Sequence, residues 1–467
     1  MVMIGLETHV QLDTKSKLFC GCRNSKDEEP NENVCETCLG MPGSKPRING
    51  KVLKQALKTS LALECDVNED YFFSRKTYFY PDMSKNYQIT QFELPVGEKG
   101  EFEVKVEDDK INVGITRLHI EEDPAKLVHE GGSVKKSDYT KVDYNRAGTP
   151  LLEIVTDPDF ETPEQARAYL QQLSQMLEYL GIYDPESDFA IKSDANISIE
   201  GGERIEVKNI TGTSDIEKAL NYEISRQKQM KKRGKEITQE TRGFNPGMGS
   251  TEKMREKETE EDYGYIFDPD LTRQRNNDNK IKQASKEIPE LPKEKLERYM
   301  SKGLKPKMAE ALVSDPEIAD LFEMLESDFD SVMTASLLTG DLKKVLNYHE
   351  IRFSESGLKK KWFKHLLKLV EEEKISDRNA EEALREAVDN PRPFKKIVED
   401  EDLLKSGEDE TAQVVEQVIE EEDDAVEDYH DGDEGALNYL VGQVMSTSGG
   451  KADPKNAREL LKEQLEN

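Results

Sequence analysis

At 467 residues the chain has material for two to four domains and at least one large core. Hydrophobic and charged residues each make up 35% of it, and no apolar run approaches the roughly 20 residues of a membrane span, so no membrane helix is expected. A net charge of −31 argues against binding nucleic acid through bulk charge but leaves room for a local basic patch.

The first element is Ile4-Gly5-Leu6-Glu7-Thr8-His9-Val10-Gln11-Leu12. Leu6, Thr8, Val10 and Leu12 share one face and Glu7, His9 and Gln11 the other, the period of a half-buried β-strand. Glu7 and His9 stand roughly 6–7 Å apart along such a strand and can point into one polar site. Glu7 also falls where a signal peptide would need an unbroken apolar segment, so the expected location is cytoplasmic.

Cys20-x-Cys22 and Cys35-x-x-Cys38 follow, separated by twelve residues. Tight pairs of this kind place two thiolates at each end of a tetrahedron, which predicts structural zinc. Buried free thiols are the plainer reading, and the polar loop carrying Asn24 and Glu28–Pro30 argues against it. Five cysteines, four of them clustered, fit a reduced compartment better than a disulfide framework, with Cys65 packing as a small apolar residue.

Asn49 caps a helix that presents Leu53, Ala56, Leu57 and Leu61 on one face. Ser74-Arg75-Lys76-Thr77-Tyr78-Phe79-Tyr80-Pro81-Asp82-Met83-Ser84-Lys85-Asn86-Tyr87-Gln88 is dense in cations and aromatics. It reads either as a strand edge with a Pro-Asp turn or as a phosphate- or nucleotide-facing segment. Ile111–Leu127 alternates again and contains Glu121-Glu122-Asp123, which is either an exposed acidic turn or a set of oxygen ligands for magnesium. The turn Asn145–Pro150 leads into a strand at Leu151–Val155.

Thr162-Pro163-Glu164-Gln165 is a capping box with proline at the first helical position, and Gly181 marks the helix end. Leu170, Leu173, Leu177 and Leu180 face the core. Ser193–Ser198 and Arg204–Asn209 predict a hairpin around Gly201-Gly202 that delivers Asp194, Glu206 and Lys208 as polar groups. A helix over Asp215–Lys232, a strand at Gln239–Phe244 and Gly- and Asn-rich loops to about Asn279 finish this part. From Ile288 to about Pro393, short amphipathic helices broken by proline and glycine predict a helical domain, with one start at Asp315-Pro316. Asp400–Glu434 is acidic but keeps the helical stripe Val414, Val415, Val418 and Ile419. Helices at Ala436–Met445 and Pro454–Gln464, joined by a loop over Ser446–Ala452, complete the chain.

Ile4–Leu12, Tyr78–Asp82, Tyr87–Gln91, Arg117–Asp123, Asp194–Ser198, Gln239–Gly243 and Leu440–Met445 together resemble one family over essentially the whole chain. It is the GatB family of the tRNA-dependent amidotransferase GatCAB. The related GatE carries a large inserted domain for which this chain is too short. The resemblance implies an α+β fold: a cradle-like N-terminal domain with an antiparallel sheet (1–285), an all-α helical domain (286–395) and a YqeY-like helical tail that grips tRNA (396–467).

The implied activity converts misacylated Glu-tRNA(Gln) and/or Asp-tRNA(Asn) to the Gln and Asn forms. ATP phosphorylates the side-chain carboxylate and ammonia displaces the phosphate. By resemblance, Glu7, His9 and Glu122 match the family's magnesium site, with Glu121 and Asp194 beside them, and Lys208 joins Glu7, His9 and Glu122 as a catalytic candidate. Arg75, Lys76, Tyr80, Lys85 and Tyr87 become candidates for ATP. Cys20, Cys22, Cys35 and Cys38 match the zinc-binding members, and Lys451, Lys455 and Arg458 form the best tail cluster for tRNA phosphates. The implied cofactors are ATP, Mg2+ and structural Zn2+.

Three departures from the family pattern stand out. Pro124 replaces the usual Ala, Ser193 a common Cys, and Tyr263-Gly264-Tyr265-Ile266 the frequent Tyr-Arg-Tyr-Phe. The chain shows no amidase stretch and no glutaminase cysteine, so a glutaminase A subunit and a small C subunit are the implied partners. Two further readings are a non-catalytic zinc-stabilised tRNA-binding scaffold and a metal-dependent ATPase unrelated to tRNA.

Overall fold

A computed structural model describes residues 1–25, 28–107, 109–129, 139–185, 191–256 and 264–466. Tyr263, named above as a departure, lies outside them. The chain divides into two compact units, Met1–Leu291 and Pro292–Asn467.

The first unit contains strands β1 (Val2–Gln11), β2 (Asp66–Val67), β3 (Asp70–Tyr71), β4 (Ser74–Thr77), β5 (Tyr87–Thr90), β6 (Gly97–Val106), β7 (Asp109–Glu122) and β8 (Lys126–His129). After these come β9 (Thr140–Asp143), β10 (Pro150–Thr156), β11 (Ile191–Ile199), β12 (Ile205–Thr211), β13 (Glu240–Asn245), β14 (Ser250–Glu256), β15 (Gly264–Phe267) and β16 (Gln274–Arg275). Its helices are α1 (Gly50–Ala62), α2 (Pro163–Tyr179), α3 (Thr213–Lys232) and α4 (Asp278–Lys286). Among the described residues, nine strands form one sheet in the order β14-β13-β12-β11-β1-β10-β7-β6-β2. All neighbours are antiparallel except β12 and β13, which run parallel and are joined through α3. A smaller sheet has the order β15-β4-β5.

β1 lies inside the large sheet, paired with β10 on one side and β11 on the other. Its alternation is realised as expected. Ile4, Leu6, Thr8 and Val10 are fully buried, whereas Glu7 and His9 on the opposite face are half-buried. Ile4, Leu6 and Val10 share one core with Leu170, Leu173 and Leu177 of α2, Ile216 and Leu220 of α3, and Val52 and Ala56 of α1. The apolar face is therefore roofed by helices, which leaves the odd-numbered face of β1 for polar groups.

The local signals act as their chemistry dictates. Thr162 and Gln165 form the reciprocal capping box, and Gly181 takes a positive φ of 65° just past the helix end. Asn49 caps α1, although its buried face is Val52, Ala56, Leu57, Thr59 and Ser60; Leu53 and Leu61 are only half-buried. The two hydroxyls bond back to carbonyls one turn earlier, so they tolerate the core. Cys65 packs in the core as an apolar residue.

One expectation fails. The region expected as loops to about Asn279 contains β14, β15, β16 and the start of α4. β14 lies at the sheet edge, where a run such as Ser-Thr-Glu-Lys-Met-Arg-Glu has no period-two apolar signal to announce it.

The second unit is all-helical: α5 (Pro292–Ser301), α6 (Pro306–Val313), α7 (Pro316–Leu325), α8 (Ser331–Ser336), α9 (Lys343–Tyr348), α10 (Phe363–Glu371), α11 (Asp377–Asp389) and α12 (Phe394–Asp400), then α13 (Glu408–Glu421), α14 (Asp423–His430), α15 (Glu434–Thr447) and α16 (Pro454–Leu465). Asp315 caps α7 by accepting from Glu317 and Ile318 N–H. Val415 and Val418 of α13 are buried against Leu437, Leu440, Val444 and Leu461, so the acidic segment is held by an apolar stripe of its own. No helix among the described residues is long and apolar enough to cross a membrane.

Leu6, 1% exposed, sits in the central strand under three helices. Leu6→Ala is expected to lower the unfolding free energy by roughly 2–5 kcal/mol, read from the denaturant midpoint of the full chain.

Candidate functional site

The polar face of β1 is completed by its neighbours through register. Glu7 lies opposite Asp194 of β11, His9 opposite Glu153 of β10, and Glu153 in turn opposite His119 of β7. Gly5 faces Asn196, which faces Glu206 of β12. Two clusters result. In the first, one ligand atom each from His9, Glu121 and Glu153 lies within 4.8 Å of the others. His9 Nε2 is 3.1 Å from Glu153 Oε2 and 3.5 Å from Glu121 Oε1. In the second, oxygens of Glu7, Asp194 and Glu206 approach to the same limit. Lys208 Nζ sits 2.7 Å from Asp194 and 3.2 Å from Glu206, while Asn196 Nδ2 donates to Glu7 at 2.8 Å.

This face is short of positive charge. Burial raises the Glu7 carboxyl above the usual range; Glu153 adds to this, Lys208 opposes it, and Asp194 and Glu206 add further. Burial alone would push His9 down, yet the hydrogen bond and charge of Glu153, with Glu121 and Asp194 behind it, carry it up to about 10. Burial would likewise raise Glu153, but His119, His9 and Arg117 hold it well below the usual carboxylate range. An imidazole kept protonated by its carboxylate neighbours marks a place where a divalent cation would displace a proton.

The other expected residues lie on the β4–β5 hairpin and the strands it meets. Glu122 joins neither cluster; its carboxylate pairs with Lys85 and accepts from Ile89 N–H at 2.9 Å. Arg75 is held by Asp268 at 2.8 Å and Asp270 at 3.1 Å, and it stacks over the Tyr87 ring at 4.5 Å. Lys76 is half-buried, whereas Tyr80 is exposed at the hairpin loop beside Phe79. In the tail, Lys451 pairs with Asp402, Arg458 donates to Asn438, and Lys455 is exposed. Of the departures, Pro124 offers its carbonyl to Arg146 at 2.9 Å, and the Ser193 hydroxyl is buried without a hydrogen-bond partner.

The four clustered cysteines do converge. Cys38 Sγ lies 3.7 Å from Cys20 Sγ, 3.7 Å from Cys22 Sγ and 3.5 Å from Cys35 Sγ. Tetrahedral zinc with bonds of about 2.3 Å sets sulfur–sulfur distances at roughly 3.8 Å, whereas a disulfide would need about 2.05 Å. The donor set therefore fits structural zinc. The bond with the Cys20 thiol holds Cys38 down to about 4, and the Cys35 N–H at 3.2 Å and the Lys17 ammonium assist. Lys17 is fully buried and also donates to the Asn33 carbonyl at 2.9 Å.

Residues 2–282 match the family model described as the GatB/GatE catalytic domain, and residues 320–465 match the model described as the GatB domain. The chain belongs to the GatB family. Membership makes it an enzyme of the amidotransferase class. It is 44% identical to the aspartyl/glutamyl-tRNA(Asn/Gln) amidotransferase GatB protein of Natronomonas pharaonis, with 99% of this chain and 97% of the relative covered. The proteins of the same name from Methanospirillum hungatei and Methanococcoides burtonii are 42% and 41% identical, covering 99% and 98% of this chain and 98% and 97% of those relatives.

Glu153 and His119 are the residues of this GatB site that sequence reasoning missed. The signal for Glu153 is faint: a lone carboxylate in the otherwise apolar strand Pro150-Leu-Leu-Glu-Ile-Val-Thr156. For His119 it is the shared parity with Arg117 and Glu121. Cys38→Ser is expected to abolish stoichiometric zinc, measured by atomic absorption, and to lower the melting temperature by several degrees with the sheet retained.

Proposed function

We propose that this GatB chain is the kinase and transamidase component of a glutamine-dependent amidotransferase acting on misacylated Glu-tRNA(Gln) and/or Asp-tRNA(Asn). The observation that carries the reading is the pair of ligand clusters side by side on the open face of β1, His9–Glu121–Glu153 and Glu7–Asp194–Glu206 with Lys208 between carboxylates. Its relatives bear the corresponding printed names.

A carboxylate becomes a usable electrophile only when one oxygen is made into a leaving group. An oxygen of the esterified Glu or Asp side chain attacks the γ-phosphorus of ATP, the bond to the β–γ bridging oxygen breaks, and ADP departs. Ammonia nitrogen then attacks the acyl carbon, inorganic phosphate leaves, and the nitrogen loses a proton to give the amide. Magnesium, when bound at His9, Glu121, Glu153 and Glu7, supplies charge shielding for phosphoryl transfer. Glu122 stands at the neighbouring strand end. Lys208 and Lys85, each held on carboxylates in this structure, are placed to turn to phosphoryl oxygens. Tyr80 and Tyr87 offer aromatic planes to the nucleotide, with Arg75 and Lys76 shaping the hairpin beneath. Ammonia comes from a glutaminase A subunit, with a small C subunit completing a heterotrimer. A boundary near residue 395 separates a helical domain from a YqeY-like tail whose Lys451, Lys455 and Arg458 meet tRNA. Cytoplasmic placement follows from the substrate.

Two measurements test this. In the complex reconstituted with glutaminase partners, misacylated tRNA, magnesium and ATP, Glu7→Ala is expected to abolish ADP and Gln formation while tRNA binding persists. Undiminished Gln formation would place the chemistry elsewhere. Because His9 is protonated below its raised value of about 10, magnesium binding through its imidazole must release that proton. Affinity should therefore rise roughly tenfold per unit between pH 7 and 9, and His9→Gln should flatten the dependence. A wild-type affinity without that slope would exclude His9 as a ligand.

A further inference from the structure

We propose that the zinc knot is the abutment that holds Lys85 on Glu122 at the active-site end of β7, with Gly40 and Ser84 as the positioning residues. The inference rests on reading Lys85 as part of that site.

Two contacts join the knot to the hairpin loop. Ser84 Oγ donates to the carbonyl of Cys38, the cysteine whose sulfur lies within 3.7 Å of the other three, at 2.8 Å. Two residues on, Gly40 has φ +64° and presses directly against Lys85. A Cβ there would stand 3.1 Å from Lys85 Cα and would overlap Lys85 Cγ. Only glycine meets both demands, the left-handed backbone and the close approach.

On its other end Lys85 is committed to the site. Its ammonium pairs with Glu122, whose carboxylate also takes the Ile89 N–H, and its side chain is only 9% exposed. A lysine has four rotatable bonds, and holding it in one conformation opposes a large rotamer entropy. The wall provided by Gly40 and the tether through Ser84 remove alternatives for the stem, leaving the head on Glu122. The wall is itself held by the knot. Without a cation, four thiols at these distances lose their common centre, and the segment bearing Cys38 and Gly40 is freed from its partner segment at Cys20 and Cys22.

The test is acetylation footprinting of lysines in the full chain, read by mass spectrometry, with Lys208 as an internal reference on the sheet face. Lys85 is expected to be protected in the zinc-loaded chain, to label about tenfold faster after chelation, and to regain protection when zinc is returned, while Lys208 keeps its rate. Gly40→Ala should expose Lys85 at full zinc content. Ser84→Ala, which removes the tether without overlap, guards against misfolding of the glycine variant; in the reconstituted complex it should raise the KM for ATP about fivefold with kcat held. Lys85 labelling that ignores both zinc removal and Gly40→Ala overturns the proposal, as does an unchanged KM in Ser84→Ala. Failure of the underlying active-site reading looks different: labelling still follows zinc, but Glu7→Ala leaves ADP formation intact.

Discussion

Everything in the first unit depends on β1 being paired along both edges while its two faces meet opposite environments. One face supplies Ile4, Leu6 and Val10 to a core roofed by three helices; the other carries Glu7 and His9. Because side chains alternate with period two, a slip of one residue against β10 or β11 would drive two ionisable groups into the core and lift leucine and valine out of it. The burial of Ile4, Leu6 and Val10, each of the order of 1.5–3 kcal/mol, therefore fixes where the carboxylates stand. Core and site are the two sides of one constraint.

The polar face is costly by itself. Glu121, Glu153 and Glu206 are buried, and Glu7 and Asp194 are half-buried, against Lys208 and the imidazoles of His9 and His119. Like charges so close raise each other's proton affinity, which is why Glu7 moves up and His9 becomes a retained cation. A fold tolerates such a set where a ligand completes it. That cost is concentrated on one strand and its neighbours, whereas Arg226 and Arg242 against Glu223 and Glu240 elsewhere in the same unit are matched pair for pair.

What was legible in the sequence was local. The alternation of β1, the capping box at Thr162, the cap at Asn49 and the cysteine spacing each fall within a few residues and act through nearest neighbours. Glu153 and His119 were not legible because nothing near them in the chain is polar in the right way; they reach His9 only through the register of β10 and β7. Likewise, three carboxylates in a row gave no hint that Glu121 would turn to His9, Glu122 to Lys85 and Asp123 to Gln11 at 2.6 Å. A strand end distributes consecutive side chains to different neighbours, and those neighbours are set by tertiary structure. β14 escaped notice for the converse reason, since an edge strand can be polar on both faces.

The position of β1 also sets a timetable for synthesis. Residues 2–11 emerge first, yet one edge waits for Pro150–Thr156 and the other for Ile191–Ile199. At roughly 5–20 residues per second the strand spends about 10–40 s on the ribosome with an unpaired edge and an uncovered apolar face. A nascent chain in that state is a template for any other extended segment, and chaperone protection should matter most in the interval before the β11 segment has been made.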